Sequence, residues 1–254
     1  MTRVASFRER LRSGTPLIGT FSKTPSYVLH EVLALSGLDC ICVDAEHAPF
    51  GRVELDLCVA ALAAGDMPSI VRVTHASDTE VLQALDVGAT AVMVPHVSTA
   101  SAATAIAAAA VYGGFGTRGY AGSTRAARYA HAKMGEHIAR SNAECAVIAQ
   151  IEDRAAVENI EAIAAVERID CLFVGRADLT VSLGKTDPQS PEVIAAVETV
   201  CRAAKRVGKA VGMFCPPRDD LGRWREAGAT LFLLASDHSF LLEGARALAN
   251  KLPR

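Results

Sequence analysis

Asp44, Glu46 and His47 fall within four positions of one another in "VDAEHAPF", residues 43–50, overlapping the end of the apolar run "DCICV". Two carboxylates and an imidazole at the end of a buried strand are costly to desolvate unless they are paired, hydrogen-bonded or held by a metal. Arg72 in "VRV", Gln150 and Glu152 in "AQIED", and Gly175, Arg176, Ala177 and Asp178 in "VGRADL" stand in or just after later apolar runs. Glu152 and Asp178 offer hard oxygen ligands to one divalent cation. Two carboxylates leave positions for water and substrate, which suits Mg²⁺ or Mn²⁺. An ion held in this way chelates a 2-oxo acid through its carboxylate and carbonyl oxygens and acts as a Lewis acid on the carbonyl. Arg72 would offset charge on a developing enolate oxygen. His47 supplies an imidazole, the side chain most often used for general acid–base proton transfer. Backbone N–H groups in "GRADL" suit a substrate carboxylate, as amides at a loop–helix junction do.

Bringing these groups to one rim requires a fold whose successive strands end side by side. Short apolar, often β-branched runs recur at "LIGTF" from 17, "DCICV" from 39, "SIVRV" from 69, "AVMVP" from 91, "AVIAQI" from 146, "CLFVG" from 171, "AVGMF" from 210 and "TLFLLA" from 230. None alternates cleanly, as expected of strands covered on both faces. Helical patterns fill the gaps. Thr24 before Pro25 reads as N-cap and first helical residue of "PSYVLHEVLAL". Ser77 with Glu80 forms a capping box before "VLQALDVG", and Gly88 is a stop. "TASAATAIAAAAVY" has very high helix propensity and ends at Gly113–Gly114. Ser190-Pro191 opens a further helix, which closes at Gly208 behind Lys205 and Arg206.

Eight βα steps in 254 residues predict an α/β fold: a (β/α)8 TIM barrel, one domain spanning residues 1–254, with its functional groups at the C-terminal ends of the strands. A doubly wound open sheet is the runner-up, but "GTFSKTPSY" after the first strand lacks its glycine-rich phosphate turn. The long connection through "GGFGTRGYAGSTRAARYA" reads as a binding loop. Its Arg118, Arg125 and Arg128 read either as an attraction for anionic substrate or as a solvated face.

Half of the residues are hydrophobic and the formal net charge is −2, with no Lys/Arg block. This argues against nucleic acid as the main partner. The start, "MTRVASFRERLRSGTP", is basic and amphipathic but leads into no apolar h-region. No stretch approaches the roughly 20 apolar residues of a membrane span. A cytoplasmic protein without membrane contact is expected. The seven cysteines, Cys40, Cys42, Cys58, Cys145, Cys171, Cys201 and Cys215, are scattered and read as reduced thiols, mostly in the core. No second pair joins Cys40 and Cys42 to make a structural zinc site.

"VDAEHAPF", "VRV", "ALDVGATAVMVPHV", "GTRGYAG", "AQIEDRAAVENI" and "LFVGRADLTVSLG" occur in that order. Together they resemble the HpcH/HpaI aldolase family, the metal-dependent (class II) 2-oxo-acid aldolases, over about residues 14 to 245. The resemblance implies a (β/α)8 barrel assembled as a homohexamer, a trimer of dimers that exchange their last helix. It implies reversible cleavage of 4-hydroxy-2-oxo acids, as in a 4-hydroxy-2-oxoheptanedioate aldolase. The products would be pyruvate, or a related oxo acid such as hydroxypyruvate, and an aldehyde. The cofactor would be a divalent metal ion, Mg²⁺ or Mn²⁺, with Co²⁺ as a third candidate. Motif by motif, His47 matches the general base on the C4 hydroxyl and Arg72 the transition-state stabiliser. Asp86 of "LDVG" matches the carboxylate that raises the histidine's basicity, from this or a neighbouring subunit. Glu152 and Asp178 match the metal ligands, and Gln150, Gly175, Ala177 and Asp178 itself fall among the substrate contacts. Two positions depart from the common pattern: Ala45 replaces glycine in "DGEH", and Arg176 replaces proline in "GPADL". The second adds a cation beside a metal ligand and leaves the oxo-acid and acceptor preference open.

Plainer roles stay open for several residues. Asp44 and Glu46 suit holding the turn in shape, Arg72 suits a scaffold salt bridge to Glu46, and Asp86 suits a surface carboxylate. Asp86 nevertheless sits near a helix C-terminus, where an anion is disfavoured. His75, His96, His131, His137 and His238 read as loop or surface residues, His96 being the one nearest the site. Three alternative functions remain: a citrate-synthase-like relative, a CoA-ester lyase, and a silent barrel acting as a regulator or assembly subunit. No basic cluster suits a CoA phosphate tail, and every ionisable position of the family pattern is filled.

Overall fold

The computed structural model describes residues 2–216 and 221–251. Eight strands close into one parallel barrel, each paired with the next and β8 paired back to β1. They are β1 Leu17–Ser22, β2 Cys40–Asp44, β3 Ser69–Arg72, β4 Ala91–Val94, β5 Ala146–Ile151, β6 Cys171–Val174, β7 Ala210–Cys215 and β8 Leu231–Ser236. The helices are α1 Arg3–Arg12, α2 Tyr27–Ala34, α3 Arg52–Ala64, α4 Asp78–Asp86, α5 Ala100–Ala109, α6 Met134–Glu144, α7 Arg154–Glu158, α8 Ile160–Ala164, α9 Arg176–Ser182, α10 Pro191–Arg206, α11 Leu221–Glu226 and α12 Asp237–Ala249. The (β/α)8 expectation holds. Among the described residues, no helix is long and apolar enough to cross a membrane.

The unbroken apolar runs have a direct cause. Alternate residues point into the barrel, where Cys40, Cys42, Ile70, Met93, Ile148 and Phe173 fill its centre. Their neighbours Ile41, Val43, Val71, Val92, Val147 and Leu172 pack outward against the helices. Both faces are buried, so both must be apolar. The interior is tight: a Cβ on Gly19 would lie 2.5 Å from the Cys40 carbonyl oxygen and 2.6 Å from its Sγ. Among the described residues, no disulfide joins any of the seven cysteines. Burial pushes the Cys40 thiol up to about 12 and the Cys58 and Cys201 thiols up to about 11.

The basic, amphipathic N-terminus forms α1, capped by the Thr2 side chain, which accepts from the Ala5 N–H. Phe7 and Leu11, one helical turn apart, join the interior cluster and plug the barrel's N-terminal end. Arg8 crosses that end to Asp170, with Nε and Nη2 each 3.0 Å from Oδ1.

Two expectations are corrected. Helix α2 begins at Tyr27 rather than Pro25, because Asp237 accepts from the backbone N–H groups of both Lys23 and Thr24 at 2.9 Å. Beyond His96 and Ser98, the long part of the connection between β4 and β5 that carries Arg118, Arg125 and Arg128 does not line the rim cavity within this chain. Arg118 is buried there, 3.0 Å from Asp86 Oδ1 and 2.8 Å from Ser141 Oγ. Arg125 pairs with Asp56 at 2.8 Å, and Arg128 is exposed. Two of the three arginines tie the connection to α3, α4 and α6.

Candidate active site

Strand register assembles the rim. Asp44 and Arg72 are the last residues of β2 and β3 and are direct partners in the parallel ladder. Asp44 is fully buried, and its Oδ1 accepts from Arg72 Nε at 2.9 Å, Arg72 Nη2 at 2.8 Å and the His47 backbone N–H at 3.1 Å. Its Oδ2 lies 3.3 Å from Lys23 Nζ, one residue beyond β1. Glu46 Oε2 lies 3.1 Å from Arg72 Nη1 and 3.8 Å from His47 Nε2. Burial works against the Arg72 guanidinium, but the surrounding negative charge, Asp44 foremost, keeps its pKa above the ordinary arginine value. The Phe21 ring lies 4.8 Å beneath it.

A second cluster forms where β4, β5 and β6 end. Val97 N–H donates to the Gln150 carbonyl and Gly175 N–H to that of Ile151, so His96, Glu152 and Gly175 come together. Glu152 is 1% exposed. Its Oε1 accepts from the His96 backbone N–H at 2.9 Å, and its Oε2 accepts from Gln150 Nε2. Position 175 must be small, because a Cβ there would lie 2.5 Å from Glu152 Oε2. His96 Nδ1 lies 3.1 Å from Asp153 Oδ2. Burial pulls the His96 imidazole down, but the bond to Asp153 and the charges of Glu152, Asp153 and Glu46 hold it above the ordinary histidine value.

His47, Arg72, Gln150, Gly175, Ala177 and Asp178 line one cavity of about 240 Å³, room for a substrate of a few carbons. Glu152 stands behind its Gln150–Gly175 wall. Of the residues singled out in the sequence, only Asp86 lies elsewhere: it ends α4 and pairs with Arg118 at 3.0 Å. That pair offsets an anion at a helix C-terminus. Within the chain, the carboxylate beside His47 is Glu46.

A model of HpcH/HpaI aldolases and citrate lyases matches residues 17–243. The chain belongs to the HpcH/HpaI aldolase/citrate lyase family. The hydroxypyruvate/pyruvate aldolase of Paraburkholderia phytofirmans is 34% identical over 246 residues, 94% of each chain. The 4-hydroxy-2-oxo-heptane-1,7-dioate aldolase of Klebsiella pneumoniae is 33% identical over 96% of this chain and 92% of its own. A crystal structure of an HpcH/HpaI aldolase/citrate lyase family protein from Burkholderia cenocepacia superposes with a TM-score of 0.91, at 36% identity, over 97% of this chain and 98% of the other. Matched nearly end to end by aldolases, this HpcH/HpaI member is a carbon–carbon lyase.

The residues of this HpcH/HpaI barrel fit a divalent cation. Glu152 is buried, and its only ion-pair partner among the described residues is His96, at 3.5 Å. Burial raises its pKa despite the donors from His96 and Gln150, the state of a carboxylate short of positive charge. Gln150 Oε1 is also buried without a hydrogen-bond partner among the described residues. Single ligand atoms from Glu46, His96 and Glu152 all lie within 4.8 Å of one another, and Asp178 lines the adjoining cavity.

Sequence reasoning passed over Lys23 and Ser236, which also line the cavity, and gave His96 too small a part. The available signal was position: each sits at, or one or two residues beyond, the C-terminal end of a strand.

Proposed function

We propose that the protein is a divalent-metal pyruvate aldolase that reversibly cleaves 4-hydroxy-2-oxo acids to pyruvate or hydroxypyruvate and an aldehyde. The observation that carries this reading is the small cavity lined by His47, Arg72, Gln150 and Asp178 in front of Glu152, a buried carboxylate with no lysine or arginine partner among the described residues. Glu152 and Asp178 would hold the ion. Bound Mg²⁺ or Mn²⁺, with Co²⁺ a third candidate, supplies Lewis acidity at the C2 carbonyl.

This chain's residues do the rest. In cleavage, His47 takes the proton of the C4 hydroxyl and the C3–C4 bond breaks. C4 leaves as the aldehyde carbonyl, and the bonding pair passes through C3 to the C2 oxygen as an enolate. Arg72, fixed by Asp44 and Glu46, offsets the charge on that oxygen. Protonation at C3 completes the oxo acid, and the reverse sequence builds the carbon–carbon bond. The backbone amide at Ala177, with Gln150 beside it and Gly175 leaving room, orients the substrate carboxylate.

The cytoplasmic homohexamer, a trimer of dimers, belongs to the same reading, with Asp86 serving a neighbouring subunit's histidine. Two features support helix exchange. In α12 the only buried residue is Asp237, while Phe240, Leu241, Leu242 and Leu248 are exposed. An apolar groove lined by Pro16, Ile18, Leu221, Phe232 and Leu234 lies open beside β8.

Incubation with pyruvate or hydroxypyruvate, a broad aldehyde panel and Mn²⁺, with and without EDTA, tests the activity. Aldol product that EDTA abolishes is expected. No metal-dependent product across the panel would leave the silent-barrel reading standing.

A further inference from the structure

We infer that His96 is a nitrogen ligand of the divalent ion, so that this member has a mixed nitrogen–oxygen metal centre. The proposal rests on the metal-dependent reading above only in taking the rim to hold a cation.

The backbone aims the ring. His96 adopts φ +54, a left-handed conformation that is strained for a non-glycine residue. Its own N–H bond to Glu152 Oε1, at 2.9 Å, helps hold it there. The side chain then lies among three carboxylates. Nδ1 is 3.1 Å from Asp153 Oδ2, and that same oxygen is anchored by Ser98 Oγ at 2.9 Å. A proton on Nδ1, donated to Asp153, leaves the Nε2 lone pair available. This is the carboxylate–histidine arrangement that orients metal-ligating imidazoles. Nε2 is 4.0 Å from Glu46 Oε1, while the other Glu46 oxygen is taken by Arg72.

Ligand atoms of Glu46, His96 and Glu152 lie within 4.8 Å of one another. Metal–ligand bonds of about 2.1 Å put adjacent ligands about 3 Å and opposite ones about 4.2 Å apart, so the three would close by about 1–2 Å through side-chain rotation. The His96 side chain is 59% exposed, so its ring is free to make that move. Buried Gln150, with Oε1 unpartnered among the described residues, places a further polar group beside the same carboxylate. An imidazole in the set shifts preference from Mg²⁺ towards Mn²⁺ and Co²⁺, because Mg²⁺ favours oxygen ligands.

The test uses tag-free, chelator-stripped whole protein. Loaded with Mn²⁺, the parent protein should show ¹⁴N modulation in pulsed EPR, and His96→Gln should lose it. Competition titrations should show Co²⁺ affinity falling about 10-fold or more in His96→Gln, with Mg²⁺ affinity within about 2-fold. Bound Mn²⁺ without ¹⁴N modulation in the parent protein, or modulation that persists in His96→Gln, overturns the inference and leaves the aldolase reading intact. Failure of the parent protein to bind any divalent ion overturns both.

Discussion

Replacing Asp44 by alanine tests the network beneath the catalytic groups. Asp44 is fully buried and the Arg72 side chain is 7% exposed. One carboxylate oxygen takes two guanidinium N–H groups and the His47 backbone N–H. The substitution leaves a buried cation without its main partner, a change that typically costs 3–5 kcal/mol. Glu46, 3.1 Å from Nη1, retains part of the compensation, so about 3 kcal/mol is expected. At roughly 2–4 °C per kcal/mol for a chain of this size, Tm should fall by about 6–12 °C. Removing the cation as well should recover part of the loss. In the double variant Asp44→Ala/Arg72→Met, coupling of about 1 kcal/mol or more is expected. The assay is denaturant and thermal unfolding of the parent protein, both single variants and the double variant at one fixed protein concentration, since assembly makes Tm concentration-dependent. An Asp44→Ala loss below about 1 kcal/mol, or strict additivity, would refute the view that this pair holds the rim together.

Glu152→Gln should stabilise the metal-free protein at pH 7–8 and abolish metal-dependent turnover. Burial raises the folded-state pKa of Glu152, so its contribution to stability is fully present below the ordinary carboxylate range and is lost as pH rises through the raised value. The Tm gain measured in EDTA should therefore shrink towards about pH 4, and a Tm loss at pH 8 would contradict it. Gly175→Ala should lower metal affinity about 10-fold while costing about 1–3 kcal/mol, because the new Cβ would displace Glu152 Oε2 from 2.5 Å; calorimetric metal titration checks it. Leu241→Glu with Leu248→Glu should break the assembly into smaller species in sedimentation velocity, and a parent protein that sediments as a monomer would remove helix exchange from the reading.

The barrel was legible because its strands are buried on both faces, which turns each into a dense apolar run bounded by polar residues. Local caps were legible for the same kind of reason. Ser77 Oγ accepts from the Glu80 N–H at 3.2 Å, as a capping box requires. The Glu80 carboxylate instead bonds Thr74, a competition that spacing does not reveal. The start of α2 was misread because Asp237, far along the chain, takes two of the backbone donors near Thr24. Arg118 was ambiguous because its partner Asp86 sits on another element. Each miss is a long-range polar contact, and neither periodicity nor propensity encodes those.

The same limit separates Asp44 from Glu46. Both are carboxylates at the end of one strand, two positions apart, and sequence gives them one shared role of shaping the turn. Register gives them different ones. Asp44 is the last ladder residue of β2, directly opposite Arg72, so its charge is spent on the guanidinium and on Lys23. Glu46 lies beyond the ladder, with Oε2 on Arg72 and Oε1 on the His96 side. It therefore spans the two halves of the rim, the cation-fixing half at β2–β3 and the carboxylate-rich half at β4–β6. A bound cation would compete with Arg72 for Glu46, which couples the position of the enolate-stabilising guanidinium to occupancy of the metal centre.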